Sequence, residues 1–80
     1  MREEDAKLRQ IVAAHIKATR SERGVTQAYV AERADIDLSH YQRIERGESN
    51  PSLLTAYRIC QTLRMKLDQL FTSPRNTLET

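Results

Sequence analysis

One cysteine, two glycines and two prolines are all that this 80-residue chain holds of the residues that cross-link or redirect a backbone. With Cys60 alone no internal disulfide can form, which suits a reducing cytoplasm. No pair of histidines, and no cysteine with a histidine, sits at metal-ligand spacing, so no metal or other cofactor is expected. There is no glycine-rich loop to cradle a phosphate. No nucleophile, base and orienting acid assemble along the sequence, so an enzyme is not expected either. The longest apolar run near the start is "IVAA", residues 11–14, against the roughly 20 residues a membrane span needs. The first residues do not resemble a signal peptide. The expected location is cytoplasmic, with no membrane partner. No segment alternates with period two, and there is no repeat or low-complexity tract.

What is present is helical patterning. Eighty residues make one domain at most. Residues 1–73 are expected to form it, with 74–80 as a flexible tail. A chain this short buries only about 60% of its unfolded surface, so its stability is modest unless it associates. Thirteen basic residues are interleaved with eleven acidic ones for a net charge of +2. Any affinity for nucleic acid must therefore come from local placement.

Residues 3–23 read as a first helix, with Leu8, Ile11, Val12, Ile16 and Thr19 at three- and four-residue intervals. Its acidic start, Glu3, Glu4 and Asp5, suits the helix dipole, and Gly24 ends it. Thr26 is a good N-cap for a second helix, "QAYVAERA", whose apolar stripe is Val30, Ala31 and Ala34. Asp35 and Asp37 flank Ile36 in a turn, and Asp37 can cap a third helix, "LSHYQRIER", which Gly47 ends. Asn50-Pro51 disfavours helix at Asn50. Ser52 can cap a fourth helix running to Leu63, its apolar side being Leu53, Ala56, Tyr57, Cys60 and Leu63. A fifth short helix, roughly 67–72, carries Leu67, Leu70 and Phe71. The expected class is all-α, with five helices.

Helices two and three, joined by a short turn, form a helix-turn-helix unit over residues 26–46. At about 100° per residue, Leu38, Ser39, Gln42, Arg43 and Arg46 share one face of the third helix. Tyr41 and Ile44 point the other way, and His40 lies on the boundary. Arginine can donate two hydrogen bonds to guanine, glutamine can pair with adenine in both directions, and Leu38 could meet a thymine methyl. A polar outer face is also what any surface helix shows.

From Val12 to Phe71 the chain resembles the Cro/repressor-type helix-turn-helix family, also called XRE-like, with the lambda-repressor-like fold. The resemblance is carried by "IKATRSERGVTQAYVAERADI", "IERGESNPSLLTAYRICQTL" and "LDQLF". "RGVTQ", "IERG" and "NPS" at these separations are specific together and weak singly. The resemblance implies base-reading positions at Leu38, Ser39, Gln42 and Arg43. It implies DNA-backbone contacts from Gln27, Arg46, Ser49 and Asn50, and a partly buried ion pair between Arg20 and Glu45. Three positions depart from the family pattern. Asp35 replaces a turn glycine, Arg64 a second glycine, and Lys66 a capping serine, which predicts a poorly capped fifth helix.

The functional expectation is a sequence-specific regulator of transcription. It binds double-stranded DNA at palindromic operators as a homodimer, with RNA polymerase as a further partner. A dimer interface is expected on helices four and five from Leu54, Tyr57, Leu67 and Phe71. A restriction–modification controller or a small phage-type repressor fits this description. The rival from a different class is an antitoxin or other module whose main partner is a protein. Tyr29 is either a phosphate donor or an ordinary half-exposed aromatic. His15 and His40 read as satisfied boundary histidines, and Cys60 as a buried structural cysteine.

Overall fold

The computed structural model describes residues 2–72, which contain four α-helices, one 3-10 helix and no strand. The helices are α1 (Glu3–Arg23), α2 (Gln27–Ala34), α3 (Leu38–Glu45) and α4 (Leu53–Leu63), and the 3-10 helix is Leu67–Phe71. The expected fifth α-helix is thus corrected to a single tighter turn. Five residues leave little room for i→i−4 bonds, whereas i→i−3 bonding, as in Gln69 N–H to the Lys66 carbonyl, satisfies groups sooner. The expected tail, 74–80, lies outside the described residues.

Local chemistry sets the helix ends. Thr26 and Ser52 each accept the backbone N–H three residues on, from Tyr29 and Thr55 respectively, at 3.0 Å. Asp37 occupies the N-cap position of α3 but makes no side-chain cap bond, contrary to expectation. That helix is held by burying Tyr41 and Ile44, each contributing roughly 1.5–3 kcal/mol. Lys66 makes no side-chain cap, yet Gln69 Oε1 accepts the Lys66 N–H at 2.8 Å. The 3-10 helix is therefore capped from its third position, which the sequence reading missed.

All four α-helices stop in the same way. A residue with positive φ follows the last turn, and the N–H groups of that residue and the next bond back to carbonyls of the last turn. Gly24 and Gly47 supply two of these left-handed residues, at φ 69° and 75°, and Asp35 and Arg64 the others, at 62° and 58°. Aspartate enters this region with modest strain. Arginine has no such local help. Arg23 donates from α1 to the Leu63 and Arg64 carbonyls at 2.9 and 3.1 Å, holding that turn in place.

The core is built from Val12 and Ile16 of α1, Val30, Ala31 and Ala34 of α2, Tyr41 and Ile44 of α3, and Ala56, Ile59, Cys60 and Leu63 of α4, closed by Leu70. The small residues of α2 let α4 pack closely against it. On α4 the buried face differs from the expected one. Ile59 is fully buried, while Leu53 is 72% exposed and Tyr57 is also exposed. Leu8 and Phe71 are likewise largely exposed. Burial pushes the Cys60 thiol up to about 11, as befits an unreactive core cysteine. His15 Nε2 bonds the Thr72 carbonyl, tying the end of the 3-10 helix to α1.

Candidate nucleic-acid interface

The turn between α2 and α3 is three residues long, Asp35 to Asp37. It presents α3 with one side in the core and the other in solvent. Tyr41, Ile44 and Glu45 are buried, Leu38, Ser39, Arg43 and Arg46 are exposed, and Gln42 is half-buried. His40 is half-buried. Beyond α3, Arg46, Ser49 and Asn50 lie in the turn leading to Pro51, with Ser49 half-buried and Asn50 exposed.

Glu45 is the centre of the arrangement. It is 7% exposed and accepts from three other residues. Arg20 donates from Nε to Oε2 at 2.6 Å and from Nη2 to Oε1 at 3.3 Å. Tyr41 Oη donates to Oε2 at 2.5 Å, and Gln27 Nε2 to Oε1 at 3.0 Å. Burial alone would raise this carboxyl. The bonds from Arg20, Tyr41 and Gln27 outweigh it and hold the group below its ordinary value. In return Glu45 raises Arg20, while burial and then Glu45 push the Tyr41 phenol far up. Arg20 Nη1 also donates to the Val25 carbonyl at 2.9 Å, fastening the loop ahead of α2. Among the described residues no buried side-chain nitrogen or oxygen lacks a partner.

The network continues to the surface. Gln42 Nε2 donates to Gln27 Oε1 at 3.2 Å. A chain of hydrogen bonds therefore runs Arg20–Glu45–Gln27–Gln42, from α1 through the start of α2 to the outward face of α3. Gln27 and Gln42 are brought together, as are Arg20 and Glu45. Leu38, Ser39 and Arg43 are joined to them by sharing the exposed face of α3.

Several contacts escaped the sequence reading. Arg9 Nε and Gln10 Nε2 of α1 reach the Gly47 and Arg46 carbonyls at 3.2 and 3.5 Å, securing the far end of α3. Arg46 is held by Glu48 in a two-pronged ion pair. Only the separation of two residues hinted at that pair. Tyr29, exposed on α2, carries the Arg33 guanidinium 4.6 Å above its ring. It lines an open concavity of about 640 Å³ with Arg58 and Arg64.

Leu54, Tyr57 and Phe71 are exposed, and Leu67 is half-buried against the core. Leu53 and Phe71 border a groove of about 400 Å³ whose walls include Leu8, Val12, Pro51 and Leu70. Among the described residues, no group of three His, Cys, Asp or Glu side chains could hold a metal, and no helix is long and apolar enough to cross a membrane.

The sequence and the overall fold have counterparts in known proteins. A helix-turn-helix family model matches residues 16–70. The chain is 30% identical over 70 residues to the HTH-type transcriptional regulator y4dJ of Sinorhizobium fredii, covering 88% of this chain and 91% of that protein. It is 37% identical over 59 residues to the immunity repressor protein of Bacillus phage phi105, covering 74% of this chain and 41% of the repressor. Among solved structures, the hypothetical transcription factor NHTF from Neisseria superposes with a TM-score of 0.81 at 24% identity, over 90% of this chain and 83% of that one. An HTH_3 family transcriptional regulator from Vibrio cholerae gives 0.78 at 26% identity, over 92% of this chain and 42% of that one. The chain belongs to the XRE-like helix-turn-helix family of DNA-binding transcriptional regulators.

Proposed function

We propose that this protein represses transcription by binding, as a homodimer, to palindromic operator sites in double-stranded DNA. The observation that carries the reading is the division of α3. Tyr41 and Ile44 are sealed in the core, while Leu38, Ser39 and Arg43 stand outward, with Gln42 half-buried beside them, on a helix tied to α1 and α2 through Glu45 and Gln42. Arg43 is assigned a two-pronged contact to guanine, and Gln42 a base contact made with its remaining N–H and its carbonyl oxygen. Because Gln42 is already bonded to Gln27, less rotamer freedom is lost when a base is met. Leu38 and Ser39 complete the reading surface. Gln27, Arg46, Ser49 and Asn50 are assigned to phosphates, which supply affinity without sequence information.

A single recognition helix reads only a few base pairs. Two of them, about 34 Å apart across a two-fold axis, would enter successive major grooves. The exposed Leu53, Leu54 and Tyr57 of α4, with Phe71 bordering the same groove as Leu53 and Leu67 half-buried on the 3-10 helix, support an interface there. Apolar surface on this scale on so small a chain marks a contact. Bound over a promoter, the dimer competes with RNA polymerase. Of a phage-type repressor and a restriction–modification controller, the likeness to the phi105 repressor favours the first.

The test is selection of bound fragments from random duplex DNA, followed by footprinting. Inverted repeats with half-sites one helical turn apart are expected. Arg43→Ala should lose roughly 1–3 kcal/mol on the selected site and relax discrimination at one base pair of each half-site. An equal loss on selected and scrambled DNA would refute the assignment of Arg43.

A further inference from the structure

We propose that Glu48 is an internal competitor of DNA phosphate for Arg46, and that it thereby lowers the protein's affinity for DNA of every sequence. The inference rests on the reading of α3 and the turn after it as the DNA-facing surface, and adds a residue that opposes binding there.

The pairing has the form of phosphate recognition. Arg46 Nε donates to Glu48 Oε2 at 3.1 Å, and Nη2 to Oε1 at 3.2 Å. One edge of the guanidinium faces both oxygens of the carboxylate. That edge is the fork arginine offers to a phosphate, so the two acceptors compete for the same donors. Both side chains are 55% exposed. The pair is therefore accessible to an incoming backbone and not locked in the core.

The backbone keeps the competitor in place. Gly47 takes φ 75°, and the Glu48 N–H returns to the Arg43 carbonyl at 2.9 Å. The helix-ending turn thus folds residue 48 back over the end of α3, beside Arg46. Arg46, and to a smaller degree Arg43, hold the Glu48 carboxyl below its ordinary value, so it is ionised at neutral pH. A tethered acceptor needs no encounter step and acts at high effective concentration. Of the two arginines on the outward side, the one assigned to phosphate is neutralised by its neighbour, and Arg43 remains to read bases. The division favours a protein that binds weakly where base contacts are absent.

The experiment is a double-mutant cycle on DNA binding. Fluorescence anisotropy would measure the affinity of the wild type, Glu48→Gln, Arg46→Ala and the double variant. Each would be titrated with the selected site and with a random-sequence duplex, at one fixed salt concentration. Glu48→Gln should tighten binding by roughly two- to fivefold, the range that exposed ion pairs imply, and by the same factor on both duplexes. In the Arg46→Ala background the same change should do nothing. Weaker or unchanged binding by Glu48→Gln would overturn the proposal, because Glu48 would then position Arg46 or be irrelevant to it. An equal gain without Arg46 would also overturn it, since Glu48 would simply repel the duplex. Circular dichroism melts of all four proteins separate binding effects from folding. Should Arg43→Ala leave binding intact as well, the assignment of the DNA-facing surface fails with it. If only the Glu48 result is negative, that assignment stands.

Discussion

Removing the Glu45 carboxylate should bring this protein close to unfolding. In Glu45→Ala, Arg20 loses both of its bonds to α3 and Gln27 loses its acceptor, but each lies near enough to solvent to find water. Tyr41 has no such recourse. It is fully buried, and its hydroxyl is left without a partner, which alone costs about 1–3 kcal/mol. Breaking a buried ion pair by deleting one member typically costs about 3–5 kcal/mol, and the two estimates overlap. A chain of 80 residues has roughly 4–12 kcal/mol of stability in all. Equilibrium urea unfolding followed by far-ultraviolet circular dichroism should show a loss of about 3–5 kcal/mol. Glu45→Gln keeps the shape and isolates the charge. Its diagnostic is pH. The folded carboxyl lies below its ordinary value near 4.5, so between those two values the unfolded chain holds a proton the native chain lacks. The contribution is complete above pH 4.5 and fades as pH falls through the folded value. The wild type should lose this increment on acidification and Glu45→Gln should not. A cost below about 1 kcal/mol for Glu45→Ala, the range of exposed pairs, would refute the view that one buried acid fastens the three helices together.

Two further predictions concern helix ends. Arg64 adopts φ 58°, where glycine meets no penalty, so Arg64→Gly should stabilise by about 0.5–1 kcal/mol and raise Tm by several degrees. A lower Tm would show that the arginine side chain contributes more than its backbone strain costs. Gly47→Ala should destabilise by about 1–2 kcal/mol from the positive φ. A Cβ there would also lie 2.4 Å from Gln10 Nε2, while one at Gly24 would meet nothing within 4 Å. The same substitution at Gly24 therefore measures the strain alone. The difference between the two urea midpoints reports what Gln10 adds by moving aside, and a milder Gly47→Ala would contradict the contact.

The end of α1 and the starts of α2 and α4 were legible because caps are local. Gly24, Thr26 and Ser52 act on backbone groups within three residues of themselves, and α1 ends, and α2 and α4 begin, where they indicate. The buried side of α4 was not legible. Leucine occurs on both sides of it, Leu53 and Leu54 outside and Leu63 inside, so periodicity alone could not choose between Leu53 and Ile59. Packing chose Ile59. The 3-10 winding of Leu67–Phe71 was hidden for a related reason, since a segment so short carries too few residues to reveal its period. The outward face of α3 could be read from helical spacing, with Tyr41 and Ile44 marking its opposite. The link from Arg20 to Glu45 spans 25 residues and has no local signature, so only the family resemblance pointed to it. The Tyr41 and Gln42 bonds that extend it needed coordinates.

One acid addressed at once by α1, α2 and its own helix leaves α3 little freedom to tilt. A duplex whose groove departs from the required width or curvature must then supply the adjustment itself. Base pairs that no side chain touches would influence binding through their stiffness, and operators differing only at such positions would be told apart.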